Sequence, residues 1–348
     1  MGRRIGLATL TLLSTIPLCF GVLGCSDTQR DKSSPDTTSS ASGVNAANPT
    51  PAQGLPPAIT QNEFLQIETY RLWPGRAPKA LSDEPAETPT LTVFRPQKGW
   101  GNGTAVVIAP GGGYISLVGA LEGGQPAQWF ASRGVTAFVL SYRVDAKARL
   151  PIPLLDGARA VRFVRAHAAE FEIDPARIGI MGFSAGGHLA AMIATQSEPG
   201  DVGATDPIER FTSRPDFLVL GYPWLEGTKV LADGRSSYCD FAGFSEGPRC
   251  KPGDYASFMP LQEVRDGAPP TFIYHTSDDE LVPVEGSVRF YLALRAHRAP
   301  VELHVFETGP HGTGLGGSNT ALSRWPELLQ EWLRGRNLLP QPVDRKED

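Results

Sequence analysis

A serine set between glycines is the first candidate for chemistry. Gly182-Phe183-Ser184-Ala185-Gly186 has the form G-x-S-x-G. A serine hydroxyl is a weak nucleophile at neutral pH, so it needs an adjacent base and a turn that thrusts Oγ outward. The same form recurs at Gly243-Phe244-Ser245-Glu246-Gly247, so the pattern alone does not decide between them. Context does. Ser184 follows the β-rich run RIGIMG and precedes the Ala-rich segment AGGHLAAMIA. Strand, sharp turn and helix would aim the positive end of the helix at the site. Ser245 has neither a strand nor a helix beside it.

The base is expected to be one of six histidines. His167 falls in a helical pattern and reads as a surface or helix-end residue. His188 lies four residues after Ser184 in the same helical segment, where packing is the plainer role. His275 and His304 lie inside strand-like runs, and His297 sits beside Arg298 near a helix end. His311 differs. It lies just past the last β-rich run, in Gly309-Pro310-His311-Gly312, on a loop free to face the C-terminal edge of a sheet. The acid that orients this imidazole is sought among Asp278, Asp279 and Glu280, directly after the run TFIYHT. Backbone N–H groups must also meet the negative charge that develops on the substrate oxygen. Pro110-Gly111-Gly112-Gly113-Tyr114 follows the run TAVVIA and suits that task, with the N–H of Ala185 as partner donor. A phosphate-binding loop is excluded here. No Gly-Lys-Ser/Thr follows, and the G-x-G-x-x-G spacing is not completed.

These residues fall where β-rich runs end. The runs are Thr104–Ala109, Thr136–Tyr142, Arg177–Gly182, Phe217–Tyr222, Thr271–Thr276 and Val301–Glu307. Most are continuously apolar, as strands buried on both faces should be. Helical spacing of apolar residues marks Leu155–Phe171, Ser287–His297 and Pro326–Arg334. Phe64–Leu72 and Thr90–Phe94 read as added edge strands. The alternation predicts a single α/β domain over 61–340: a doubly wound, mostly parallel sheet with helices on both faces.

Composition agrees with a large folded core. Of 348 residues, 41% are hydrophobic, which excludes global disorder. The net charge of −5 gives no basic footprint for nucleic acid. The 38 glycines and 31 prolines make about a fifth of the chain, against roughly 12% on average. They call for many tight turns.

Residues 1–24 read as an export signal: Arg3 and Arg4, then the apolar run Leu7–Phe20. Residues 25–60, rich in Ser, Thr and Pro, read as a flexible tether, and 341–348 as a disordered tail. Apart from Cys19 and Cys25, which go with the signal, only Cys239 and Cys250 remain, a pair expected to form a disulfide in an oxidising compartment.

Together, PGGGY, GFSAGGHLA, HTSDDELVPVEGS and ETGPHGTGL resemble the α/β-hydrolase superfamily. Within it they are similar to the acetyl-xylan esterase and feruloyl-esterase-like branch, near the hormone-sensitive-lipase-like esterases. The resemblance selects Asp279 as the acid, three residues before Val282-Pro283, and implies the order Ser184, Asp279, His311. It maps the oxyanion donors to Gly112 and Gly113, with Ala185. The sequence has Thr276 where the family pattern has glycine, and Pro110 where related loops have histidine. Val22-Leu23-Gly24-Cys25 resembles a bacterial lipobox, which implies lipidation at Cys25, an exported cell-envelope location and membrane contact only through that anchor. The implied activity is hydrolysis of acyl esters, chiefly acetyl on xylan-type saccharides, with no cofactor and no metal. General carboxylesterase, feruloyl esterase and prolyl-oligopeptidase-type peptidase are the competing readings. Tyr114, Tyr222, Trp224 and Tyr238 are candidates for stacking on sugar rings or, equally, for ordinary core and loop packing. The irregular segment Trp224–Leu261 is expected to cap the pocket.

Overall fold

The apolar runs alternate between two buried faces. In the run Ala105–Ala109, the side chains of Ala105, Val107 and Ala109 enter the core on one side of a sheet. Val106 and Ile108 enter the core on the other. Each large aliphatic side chain so buried contributes about 1.5–3 kcal/mol. That two-sided burial is why the strand carries no polar alternation.

The computed structural model describes residues 54–62, 67–145, 149–226 and 256–342. The signal 1–24, Cys25, most of the tether, Tyr238, Cys239, Ser245, Cys250 and most of the tail lie outside the described residues. So does most of the segment expected to form a cap. Among the described residues nine strands form one sheet: β1 (Thr60–Asn62), β2 (Ile67–Arg71), β3 (Thr90–Phe94), β4 (Ala105–Ala109), β5 (Thr136–Ser141), β6 (Ile178–Phe183), β7 (Phe217–Gly221), β8 (Thr271–Thr276) and β9 (Val301–Phe306). The order is β1-β2-β3-β5-β4-β6-β7-β8-β9. β1, β2, β3 and β5 pair antiparallel; from β5 through β9 every pairing is parallel. β1 starts at Thr60, one residue before the expected domain boundary, and Ile59 N–H bonds Thr69 O at 2.8 Å.

Helices cover both faces. α1 (Gln125–Ala131) and α6 (Trp325–Gly335) pack on one, through Ala127, Phe130, Leu329 and Trp332. α2 (Ile152–Ala166), α3 (Ser184–Thr195) and α5 (Glu285–Ala296) pack on the other, through Val161, Leu189 and Phe290. A single turn, α4 (Pro260–Glu263), precedes β8. α1 has no counterpart in the sequence reading: it is seven residues long and continues a wide turn, Ala120–Gly124, too short to show a period. α2 ends at Ala166 rather than Phe171, and His167, at its C-cap, is 2% exposed against Phe163. Of the two roles expected for it, it takes the helix-end one, and it is buried rather than at the surface.

One buried ion pair fixes the chain beside the site. Arg143, just after β5, forks onto Asp156 of α2 through Nη2 at 2.6 Å and Nε at 3.0 and 3.2 Å. The Arg143 N–H donates to the same carboxylate at 2.9 Å. Both side chains are at most 1% exposed. Removing one partner of such a pair strands a buried charge. Asp156→Ala is thus expected to lower unfolding free energy by about 3–5 kcal/mol in a urea titration. A loss below about 1 kcal/mol, the worth of an exposed pair, would show that the pair does not matter.

Candidate active site

The sheet order decides what can meet. β4 and β6 are neighbours, so the loop after β4 and the turn after β6 emerge side by side at the sheet's C-terminal edge. The loops after β8 and β9 emerge at the same edge. Phe183 is still extended, with φ −119° and ψ 139°, whereas Ser184 has φ 50° and starts α3. A left-handed serine is strained by about 1–3 kcal/mol and must be held by its surroundings. The surroundings leave no space for alternatives: a Cβ on Gly182 would collide with the carbonyl of Gly186. A Cβ on Gly111 would lie 2.9 Å from the Ser184 Cβ. The glycine loop thus abuts the elbow.

The structure brings Ser184, His311 and Asp279 into one hydrogen-bonded row. Ser184 Oγ lies 2.8 Å from His311 Nε2, and His311 Nδ1 lies 2.7 Å from Asp279 Oδ2. Asp279 Oδ1 accepts the N–H groups of Leu281 at 3.0 Å and Val282 at 2.8 Å. The second oxygen also lies 3.3 Å from His275 Nε2, which bonds Val282 O at 3.0 Å. Since that carbonyl can only accept, His275 carries its proton on Nε2 and takes the Ser287 hydroxyl on Nδ1 at 2.8 Å. Burial alone would raise the Asp279 pKa. The hydrogen bonds from His275, His311 and Val282 outweigh it and hold the carboxyl well below the usual carboxylate range. Asp279 is therefore ionised at neutral pH and stays so well into the acid range. The neighbouring Asp278 accepts the Gly309 N–H at 2.7 Å instead, securing the loop that carries His311.

The oxyanion candidates are placed beside this row. Gly111 N–H is taken by Glu122 Oε2 at 2.7 Å. The N–H groups of Gly112 and Gly113 make no hydrogen bond among the described residues. Ala185 is in the first turn of α3, where N–H groups lack intrahelical partners. The Pro110 carbonyl accepts the Tyr142 hydroxyl at 2.6 Å, which anchors the start of the loop.

Of the four aromatic candidates, Tyr114, Tyr222 and Trp224 are buried in packing, and Tyr238 lies outside the described residues. Tyr222 is 2% exposed; its hydroxyl donates to Glu122 Oε1 at 2.8 Å, and its ring edge meets His311 at 4.9 Å between centroids. Tyr114 and Trp224 are each 6% exposed and both pack against His188. The Tyr114 hydroxyl donates to His188 Nδ1 at 2.6 Å, and His188 Nε2–H donates to Phe258 O at 2.7 Å. Burial pushes the His188 pKa down to about 4, so it stays neutral in this clasp. The described ends of the expected cap are thereby placed against α3, since Trp224 N–H also bonds Ser184 O at 3.1 Å. Neither His297, bonded to Asp266 at 2.8 Å, nor His304, bonded to Glu302 at 2.7 Å, comes to Ser184.

Sequence reasoning missed Glu122, the bond from His275 to Asp279, and the His188 clasp. One signal for Glu122 was present: it is the only charged residue between Ala109 and Arg133.

A serine on a strand–elbow–helix turn, a histidine after the last strand and an acid after the strand before it define a serine hydrolase of the α/β-hydrolase fold. The chain belongs to that superfamily, in the acetylxylan-esterase and feruloyl-esterase-like branch of its esterases. Residues 91–219 match the family profile described as BD-FAE, and residues 237–336 match that of the prolyl oligopeptidase family. The chain is 35% identical to an acetyl ester-xyloside bifunctional hydrolase from Caldicellulosiruptor lactoaceticus, with a TM-score of 0.71 over 78% of this chain and 97% of that one. An esterase from Thermogutta terrifontis gives 27% identity and a TM-score of 0.65, over 82% of this chain and 97% of that one. An acetylxylan esterase from Xylanibacter ruminicola is 34% identical over 70% of this chain, and endo-1,4-beta-xylanase B from Butyrivibrio fibrisolvens 37% identical over 68%. The chain spans 47% and 35% of the length of these two curated relatives.

Proposed function

We propose that the protein is a serine esterase that removes acyl groups, chiefly acetyl, from plant-type polysaccharides or oligosaccharides such as xylan. The observation that carries the reaction is the row Ser184–His311–Asp279 at 2.8 and 2.7 Å. The Asp279 carboxylate fixes the His311 proton on Nδ1, so Nε2 is free to accept from Ser184. As Ser184 Oγ attacks the ester carbonyl, its proton passes to Nε2. The N–H groups of Gly112, Gly113 and Ala185 receive the oxyanion, each donor of this kind being worth about 10²–10³ in rate. His311 then protonates the departing alcohol oxygen. Water, deprotonated by the same nitrogen, attacks the acyl carbonyl, and His311 returns that proton to Ser184 Oγ as the acyl–Oγ bond breaks and the acid leaves.

Two similarities support the substrate class: the acetylxylan esterase from Xylanibacter ruminicola and the acetyl ester-xyloside hydrolase named above. The BD-FAE and prolyl oligopeptidase profiles support feruloyl esters and peptides as alternatives, and the Thermogutta esterase supports simple carboxylic esters. Steady-state rates on acetylated xylan, nitrophenyl acetate, methyl ferulate and a proline peptide separate these readings. Acetyl esters are expected to exceed methyl ferulate in kcat/KM by at least about tenfold. A higher rate on methyl ferulate or on the peptide would replace the acetyl reading with the corresponding alternative. Arg3, Arg4, the run Leu7–Phe20 and Cys25 support export with a lipid anchor as part of this reading. Recovery of the full chain from the cytosol in a bacterial host would overturn that part.

A further inference from the structure

We propose that Glu122 is a positioning residue that ties the oxyanion loop to the loop of His311 and sets the electrostatic field on that imidazole. The inference rests on the serine-esterase reading of the site. Glu122 is 2% exposed, yet it lies in a glycine-rich stretch with no other charge nearby in sequence. Its two oxygens are spent in two directions. Oε2 accepts the Gly111 N–H at 2.7 Å, one residue before the expected oxyanion donors. Oε1 accepts the Tyr222 hydroxyl at 2.8 Å. The Tyr222 oxygen in turn accepts the Gly314 N–H at 2.9 Å, three residues after His311. The carbonyl of Gly314 is held as well, by the Tyr274 hydroxyl at 2.9 Å and Trp325 Nε1 at 3.1 Å.

Every donor in this chain points toward Glu122, and aligned hydrogen bonds polarise one another. Both carboxylate oxygens act only as acceptors, which is the pattern of the ionised form. Burial raises the Glu122 pKa, while the bonds from Tyr222 and Gly111 and the charge of His311 pull it back. The coupling to His311 is reciprocal: an anion here favours the imidazolium that forms during proton transfer. Tyr222 touches both groups, its ring edge against His311 and its hydroxyl on Glu122. Among the described residues, the other titratable groups around His311 are Asp279, with His275 behind it, Asp278 at the base of its loop, and Tyr274 behind Tyr222.

Glu122→Gln keeps the shape but turns one acceptor into an NH2 that faces a donor. Tyr222→Phe keeps the ring and the Glu122 charge but removes the link to Gly314. For Glu122→Gln, kcat is expected to fall by about 10–100-fold with KM changed by less than about threefold, the cost of displaced reacting groups. The His311 pKa, read by NMR of the imidazole nitrogens and from the acidic limb of kcat/KM, is expected to move down by about half a unit or more. For Tyr222→Phe, kcat falls similarly but the His311 pKa does not move down. A packing role alone would leave the His311 titration in place. Unchanged kcat and unchanged His311 pKa in Glu122→Gln overturn the proposal. If Glu122→Gln fails to fold, as judged by its melting curve, Tyr222→Phe decides: a fall in kcat with KM changed by less than about threefold and the parent's melting curve supports the tie, and unchanged kcat overturns it. The NMR titration does not depend on turnover, so it tests the tie even if the parent protein hydrolyses no ester, a result that would defeat the esterase reading instead.

Discussion

Ser184→Ala is expected to lower kcat/KM on the best ester by at least about 10⁴-fold and to abolish labelling by a fluorophosphonate probe. The argument is geometric. His311 Nε2 is 2.8 Å from the Ser184 oxygen, placed to take the hydroxyl proton as that oxygen attacks, and alanine supplies neither the proton nor the attacking atom. Alanine leaves the backbone of the elbow intact, because the turn is confined by Gly182 and Gly186 and alanine tolerates the same φ of 50° about as well as serine. The oxyanion donors also remain, so a residual rate above that of water is expected. Ser245→Ala is the matched control, since it removes the other G-x-S-x-G serine. It is expected to be labelled and to turn over like the parent. Labelling of Ser184→Ala, or activity within tenfold of the parent, would remove Ser184 as the nucleophile.

The sheet was legible because burial on both faces writes itself as unbroken apolar runs. TFIYHT marked β8 without error at either end, and VELHVFE overran β9 by one residue. α1 was not legible, since seven residues after a wide turn carry no readable period. Ser184 was legible from its strand and helix, and His311 from its place after the last strand. Choosing Asp279 over Asp278 needed the family resemblance; both acids are used, one on His311 and the other on the Gly309 N–H. The tie from Gly111 through Glu122 and Tyr222 to Gly314 was not legible. Its members are far apart in sequence and meet only when the loops after β4, β7 and β9 converge. For the same reason the sequence left two roles open for Tyr222, sugar stacking and packing. Residue type shows that a ring and a hydroxyl are present, but only the fold shows both to be turned inward.

Asp279→Asn is expected to cost about 10⁴-fold in kcat with little change in KM. The reasoning starts from the N–H groups of Leu281 and Val282, which both point at Asp279 Oδ1. They force the oxygen of an asparagine amide into that position. The amide NH2 then faces His311 Nδ1, which lies 2.7 Å from the present Oδ2. A donor there obliges Nδ1 to accept, so the imidazole proton moves to Nε2. Nε2 then donates toward Ser184 and can no longer take its proton. The same NH2 also confronts the Nε2–H of His275, a second clash between donors. Leaving such groups poorly paired costs about 1–3 kcal/mol of stability. The native carboxyl, held below its ordinary range, gives stability that is present above the unfolded carboxylate pKa and fades as pH falls through the lower folded value. The stability difference between parent and Asp279→Asn should therefore shrink on acidification below about pH 4. Asp278→Asn keeps an acceptor for the Gly309 N–H and is expected to cost less than about tenfold. Turnover in Asp279→Asn within tenfold of the parent would mean that this carboxylate does not set the tautomer of His311.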